Sequence, residues 1–230
     1  MDKPRVLVVE DEEAIRVGIC DVLTFHGCVA EGVGEGNAGL QRALSGNFSL
    51  VILDVMLPGL DGFSICRKIR QERPHQAIMM VTARGVEGDI LEGFQCGADD
   101  YITKPFSVAQ LVARIQALLR RARIQPAQTF LMGPLTVDAQ RFLVRCGSES
   151  VAVTSRDIDV LSYFLESDGC VVTRKDLLRD VWGYQRVEAV ETRCVDMHIA
   201  KLRRKLTEVC AVSIIETVRG SGYRYVAVTE

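Results

Sequence analysis

Residues 50–54, Leu50-Val51-Ile52-Leu53-Asp54, join an unbroken apolar run to a carboxylate. Apolar residues without polar alternation read as a strand covered on both faces. A carboxylate at the end of such a strand is costly unless it finds partners. The same grammar extends outward in both directions. Arg5–Val9 is followed by Glu10-Asp11, Cys28–Val33 comes next, Ala77–Val81 precedes Thr82, and Tyr101–Ile102 leads to Lys104-Pro105. Between these runs, apolar residues recur at helical spacing: Ile15, Ile19, Val22 and Leu23, then Val108, Leu111, Val112, Ile115, Leu118 and Leu119. Strands alternating with helices predict a doubly wound α/β domain, a five-stranded parallel sheet filling residues 1–121.

The second half is built differently. Ala122–Thr129, with Pro126 between Gln125 and Gln128, has no apolar periodicity and reads as a linker. Phe130–Val137, Phe142–Cys146 and Val151–Thr154 read as short antiparallel strands. Thr154-x-x-Asp157 and Thr173-x-x-Asp176 each set a hydroxyl three residues before an acid, as variants of the capping box that opens a helix. A third helix is expected from about Glu191 to Glu208, and Gly220-Ser221-Gly222 joins Ile214–Val218 to Tyr223–Val228 in a closing hairpin. Residues 130–230 therefore read as an α+β domain.

At roughly 150 residues per domain, 230 residues suit one large domain or two small ones, and the change of pattern after Arg121 favours two. With 48% hydrophobic and 25% charged residues and a mean hydropathy of +0.13, disorder is excluded for most of the length. No stretch approaches the roughly 18 uninterrupted apolar residues of a membrane span, and acids arrive at Glu10 before any secretion signal, so a cytosolic protein without membrane attachment is expected. The 8 cysteines form no C-x-x-C pair and read as reduced thiols. A net charge of −2 argues against a chain-wide nucleic-acid coat. Residues 1–121 carry 13 Lys and Arg against 16 Asp and Glu, and residues 122–230 carry 15 against 14. The asymmetry is local: Arg193, Lys201, Arg203, Arg204 and Lys205 face a single acid, Asp196.

In an open parallel sheet, ligands bind beyond the carboxyl ends of the strands. Those ends carry Glu10, Asp11, Asp54, Thr82 and Lys104. The bland alternative is that Glu10–Glu13 merely complement the dipole of the next helix. Asp54 is harder to explain that way. Converging carboxylates repel one another unless a cation sits among them, and hard oxygen ligands select Mg²⁺. Lys104 and Thr82 add a cation and a hydroxyl donor for a bound oxyanion, so the five positions read as a phosphoryl-binding site.

Residues 1–121 resemble the receiver domain of two-component response regulators, which is flavodoxin-like. The resemblance is carried by Glu10-Asp11, by Asp54-Val55-Met56-Leu57-Pro58-Gly59-Leu60-Asp61-Gly62, by Thr82-Ala83-Arg84, and by Gly97-Ala98-Asp99-Asp100-Tyr101-Ile102-Thr103-Lys104-Pro105-Phe106. It implies that Asp54 accepts a phosphoryl group from a histidine kinase. Glu10, Asp11, Asp54 and the backbone carbonyl of Met56 would hold Mg²⁺, and Lys104 would pair with phosphoryl oxygens. Thr82 and Tyr101 would be the switch pair, and the Lys104-Pro105 bond would be cis. The competing class is a phosphohydrolase of the haloacid-dehalogenase kind, which uses a second Asp two residues on as general acid. Met56 stands there, so turnover of an external substrate is not expected.

On a helical wheel, Val195, Ile199, Leu202 and Leu206 fall within about 60° and mark a buried stripe. Arg193, Met197, Ala200 and Arg204 lie opposite, with Lys201 alongside and Arg203 and Lys205 on the flanks. Solvated charge is the ordinary explanation of such a face. The hairpin that follows, bearing Arg219 and Arg224, favours a helix in the major groove with an arginine reaching a neighbouring groove. Residues 130–230 resemble the winged-helix effector domain of the OmpR/PhoB-type regulators. The motifs are Val172-Thr173-Arg174-Lys175-Asp176-Leu177-Leu178, Val181-Trp182-Gly183-Tyr184, Val195-Asp196-Met197-His198-Ile199 with Lys201–Leu206, and Thr217–Arg224. The resemblance makes residues 191–206 the recognition helix and Thr217–Tyr223 the wing. Arg193, Met197, Lys201, Arg203, Arg204, Thr217 and Arg219 are then the DNA-binding candidates. Two departures stand out: Cys194 replaces a common threonine, and Ala200 replaces a common basic residue.

Receivers of this family pair through the helix before the fifth strand, that strand, and the helix after it, using crossed salt bridges. Asp99, Asp100, Arg114 and Arg121 are retained, but the expected basic and acidic partners of one further bridge are Ile90 and Gln110. A less charge-steered dimer is expected. The whole reads as a phosphorylation-dependent transcription regulator with Mg²⁺ as cofactor. Its expected partners are a sensor histidine kinase, double-stranded promoter DNA, a second copy of itself and RNA polymerase.

Overall fold

The computed structural model describes residues 3–83, 96–121, 129–184, 192–211 and 213–227. The chain divides into two compact units, Met1–Arg123 and Ile124–Glu230. In the first, strands β1 (Arg5–Val9), β2 (Val29–Val33), β3 (Leu50–Asp54), β4 (Ile78–Ala83) and β5 (Asp100–Lys104) form one parallel sheet in the order β2-β1-β3-β4-β5. Helices α1 (Glu13–Phe25), α2 (Gly36–Ser45), α3 (Gly62–Glu72) and α4 (Val108–Arg121) accompany it. This is the doubly wound arrangement expected from the alternating pattern, with the flavodoxin-like strand order that the resemblance implies.

Strand alternation decides which helix packs where. Leu7, Val9, Val51, Leu53, Ile78 and Met80 meet Ala43 of α2 and Ile65, Cys66 and Ile69 of α3 in one core. Val6, Val8, Leu50, Ile52, Met79 and Val81 meet Ile19 and Leu23 of α1 and Leu111, Ile115 and Leu118 of α4 in the other. β3 is buried at all five positions, which is why its sequence runs apolar without alternation.

The helices start where side chains relieve their orphan N–H groups. Asp61 caps α3, accepting from the Ser64 N–H at 2.9 Å, and Glu35 caps α2. Ser107 and Gln110 form a reciprocal box at the head of α4, each side chain accepting the other's backbone N–H at 3.2 Å.

The second unit opens with an antiparallel sheet, β6 (Thr129–Met132), β7 (Leu135–Asp138), β8 (Leu143–Cys146) and β9 (Glu149–Ala152), paired in chain order. Four boundaries differ from expectation. The strand expected at Val151–Thr154 is β9 at Glu149–Ala152, because Thr154 leaves the sheet to cap the next helix. Phe130–Val137 is two strands and not one, because Gly133 takes φ 58° and Pro134 follows it in a turn. Phe142 adopts φ 55°, so β8 begins one residue later. Thr129, expected in the linker, is the first residue of β6, and residues 122–128 of that linker lie outside the described residues.

There follow α5 (Ser155–Glu166), β10 (Val172–Thr173), and the short α6 (Arg174–Asp176), which continues into a π-helical turn, Leu177–Val181. Next come α7 (Arg193–Thr207), β11 (Ile215–Val218) and β12 (Gly222–Tyr225). Both threonine capping boxes are present, Thr154 with Asp157 and Thr173 with Asp176. The second sheet runs β10-β12-β11, and its hairpin turns through Gly220 at φ 75°. Trp182, Phe164, Leu161, Val195, Leu202 and Ile215 fill the core beneath, completing a winged helix. No helix among the described residues is long and apolar enough to cross a membrane.

Candidate functional site

Sheet register assembles the first site. β1 pairs with β3 so that Val9 faces Leu53, which brings Glu10 and Asp54 to the same edge one residue further on. Asp54 faces Val81 on β4, next to Thr82, and Ala83 faces Lys104 on β5. Glu10, Asp11 and Asp54 each place an oxygen within 4.8 Å of the others. Glu10 and Asp54 are buried and Asp11 is exposed. The Lys104 ammonium lies 2.5 Å from Asp54 Oδ2 and 2.8 Å from Glu10 Oε2.

Burial pushes the Glu10 carboxyl up to about 7, and the neighbouring Asp54 adds to this against the pull of Lys104. Burial of Lys104 opposes its charge, but the two carboxylates outweigh that and hold its pKa above the usual lysine value. The Met56 N–H donates to Asp54 Oδ1 at 3.0 Å, orienting the carboxylate. The loop behind it is fixed by Gly62, where a Cβ would stand 2.0 Å from the carbonyl oxygen of Asp54. Three hard oxygen donors converging within 4.8 Å are a donor set suited to a small divalent cation such as Mg²⁺.

Thr82 is buried at the end of β4, and Tyr101 packs half-buried against the α2–α3 core. The Lys104-Pro105 peptide bond is cis, as the resemblance implies.

The pairing residues are distributed otherwise than expected. Asp99 is buried: its Oδ2 takes the Arg70 guanidinium at 2.5 Å and the Ile78 N–H at 2.9 Å, so it stitches β5 to α3 and β4 and does not present a surface charge. Asp100 is fully buried and pairs with Arg114 at 2.7 Å within the chain. Gln110 is exposed, with its amide oxygen engaged at the α4 cap. Ile90 and the Arg121 side chain lie outside the described residues.

The second site is the outer face of α7 and the wing. Val195, Ile199, Leu202 and Leu206 are buried as the wheel requires, while Ala200 and Arg204 are exposed and Met197 is half-buried. Thr217 and Arg219 are exposed on the wing, and the Arg193 side chain lies outside the described residues. Lys201 is a correction. It is 7% exposed although the wheel sets it alongside the outward row, and its charge acts on the buried Asp157 carboxylate of α5.

Arg203 is also committed internally. It donates to the Ile215 carbonyl at 2.9 Å and the Thr217 hydroxyl at 3.0 Å, and its guanidinium lies 5.5 Å from the Tyr223 ring centroid. The Tyr223 hydroxyl donates to Asp196, which also takes Arg174 at 2.6 Å, so wing and helix move as one piece. These ties are invisible in the sequence, where Arg203, Tyr223 and Asp196 are separated by many residues.

The fold and the two sites define a class: a receiver joined to a winged-helix DNA-binding domain, the plan of a response-regulator transcription factor. Residues 6–116 match the family model of the response regulator receiver domain, and residues 147–225 that of the transcriptional regulatory protein, C terminal. The chain belongs to the OmpR/PhoB-type response regulators of two-component systems. It is 39% identical over 220 residues to the response regulator ArlR of Staphylococcus aureus, covering 95% of this chain and 98% of that one. It is 38% identical over 226 residues to the uncharacterized transcriptional regulatory protein YkoG of Bacillus subtilis strain 168, covering 97% and 98%. A solved mutant of RitR superposes with a TM-score of 0.76 at 31% identity over 98% of this chain and all of that one. DrrB, a Thermotoga maritima OmpR/PhoB homologue, gives 0.53 at 29% over 97% and 99%.

Proposed function

We propose that Asp54 is the phosphoacceptor of this regulator and that its phosphorylation governs DNA binding by α7 and the wing. The observation that carries the proposal is the convergence of Glu10, Asp11 and Asp54 within 4.8 Å with Lys104 at 2.5 Å. An Asp54 oxygen attacks the phosphorus of a phosphohistidine on a sensor kinase, the P–N bond breaks, and the imidazole leaves, giving an acyl phosphate. Transfer of this kind depends on in-line positioning and neutralisation of the equatorial oxygens. The Met56 N–H holds the attacking carboxylate, and Lys104 is placed to exchange its contact with Asp54 for one with a phosphoryl oxygen. Glu10, Asp11, Asp54 and the Met56 carbonyl would hold Mg²⁺, which when bound supplies further charge neutralisation. Thr82 and Tyr101 are the proposed switch pair. Met56 offers no general acid, so the chain is proposed to modify itself and not to turn over an external substrate.

The proposed output is a receiver-mediated dimer. Pairing raises the effective concentration of the second DNA-binding unit and gains about 10²- to 10⁴-fold in avidity. The cytosol is the proposed setting, with promoter DNA and RNA polymerase as partners. The test is incubation with a small phosphodonor with and without Mg²⁺, followed by intact mass. One labile phosphoryl group is expected on the wild type with Mg²⁺ and none on Asp54→Ala. A phosphoryl group retained on Asp54→Ala refutes the assignment.

A further inference from the structure

The recognition helix carries five basic residues, Arg193, Lys201, Arg203, Arg204 and Lys205, and the fold sorts them. Arg204 points to solvent, whereas Lys205 places its ammonium 2.6 Å from Oδ2 of the fully buried Asp157 in the first turn of α5. That same oxygen accepts the Thr154 N–H at 2.8 Å, and Oδ1 lies 3.1 Å from Nε2 of buried His198. Lys201, buried one turn on from His198, adds its charge to the field at that carboxylate. Residues 198, 201 and 205 are spaced by three and four, one line along the edge of the apolar stripe.

Burial acts against ionisation of Asp157, but Lys205, His198 and Lys201 together hold its carboxyl well below the usual range. The surroundings brace the arrangement. His198 meets the Trp182 ring edge-on at 5.3 Å between centroids, and buried Arg156 lies 4.9 Å from the same ring and donates to the Val181 carbonyl at 2.6 Å.

Apolar contact is non-directional, so a stripe of Val, Ile and Leu leaves a helix some freedom to roll about its axis. Directed contacts to one carboxylate from His198 and Lys205, two turns apart, remove that freedom. Assembling buried charge is expensive, which makes the cluster a poor device for stability alone and a good one for fixing a single geometry.

We propose that Asp157 is a positioning residue for DNA recognition: through His198, Lys201 and Lys205 it sets the rotation of α7 so that the row of Met197, Ala200 and Arg204 faces the groove. Lys201 and Lys205 accordingly make no phosphate contact, although their place in a basic helix suggests otherwise. This rests on the DNA-binding reading given above.

The test is fluorescence anisotropy of the full chain on a labelled mixed-sequence duplex across a salt series. Each phosphate a protein neutralises adds about 0.9 to the slope of log K against log salt. Arg204→Ala is expected to lower the slope by about that much. Lys205→Gln and Lys201→Met are expected to weaken binding severalfold with the wild-type slope intact, and Lys205→Arg to restore affinity. Asp157→Asn combined with Lys205→Gln is expected to lose no more than Asp157→Asn alone, since both act at one contact.

A slope lowered by about 0.9 in Lys205→Gln or Lys201→Met, or additive losses in the double variant, overturns the proposal. Should Asp157→Asn or Lys201→Met lose its circular dichroism signal, Lys205→Gln against Arg204→Ala decides alone, because both side chains reach solvent. Absence of salt-dependent binding by the wild type overturns the DNA-binding reading and this one with it. A wild type that binds, beside a Lys205→Gln of reduced slope, overturns this one only.

Discussion

Gly62→Ala tests how strictly the backbone around Asp54 is held. The added Cβ would stand 2.0 Å from the carbonyl oxygen of Asp54, 2.9 Å from its carbonyl carbon and 3.1 Å from Val55 Cα. All three are backbone atoms of the central strand or the residue after it, and the Gly62 N–H is bonded to the Val55 carbonyl at 3.0 Å. No rotamer change relieves the clash, so either the head of α3 lifts or Asp54 is pushed back, in each case by about an ångström. Overpacking of this sort costs about 1–3 kcal/mol. A reacting group misplaced by about 1 Å loses on the order of 10²-fold in rate. The assay pairs denaturant unfolding with the initial rate of phosphoryl uptake from a small donor, followed by intact mass. Gly18→Ala is the control. It lies within α1, where a new methyl group would meet nothing inside 4 Å, and it should gain about 0.5–1 kcal/mol without altering the rate. A Gly62→Ala protein with wild-type stability and wild-type uptake would refute the claim that this contact sets the position of Asp54.

Three other perturbations have definite outcomes. His198 is buried with its pKa held below 6.5 by burial, so below pH 6.5 the unfolded chain takes up a proton the folded one resists, and stability of the winged-helix unit should fall with pH, falling further below 3.8 as Asp157 is forced to protonate; His198→Asn should flatten the first part of that slope, and a wild-type stability constant from pH 7 to 5 would contradict it. Thr154→Ala removes the hydroxyl that accepts the Asp157 N–H and should cost about 1 kcal/mol in denaturant unfolding, whereas a loss below a few tenths would mean the cap is dispensable. Dimerisation of the phosphorylated receiver should depend only weakly on salt, because Asp99 and Asp100 are consumed by Arg70 and Arg114 within the chain, and exposed bridges contribute only about 0–1 kcal/mol each; steep dissociation in sedimentation between low and high salt would count against this.

Much of the fold is legible in the sequence because its signals are local. The run from Leu50 to Asp54, the spacing of Leu111, Ile115 and Leu118, and the two Thr-x-x-Asp boxes each specify an element through the geometry of a few consecutive residues. Strand ends are legible for the same reason, so Glu10, Asp54, Thr82 and Lys104 can be assigned to one edge before any register is known. The misreading of Phe130–Val137 as one strand is local too: Gly133 and Pro134 form a turn that their apolar neighbours obscure.

The roles of charged side chains are a different matter. Whether Lys205 meets water or a carboxylate depends on Asp157, 48 positions earlier, and whether Asp99 faces a partner copy or Arg70 depends on how α3 lies against β5. Periodicity gives the angle at which a side chain leaves its helix or strand, and that suffices for apolar residues, which need only be covered. A charge needs a specific counter-group at bonding distance, and only the packing of distant elements decides whether one is there. Two domains, an acidic pocket and a basic helix were therefore readable from residue order alone. Which of the basic residues face outward, and which are held within, was settled by the way α5, α7 and the wing pack together.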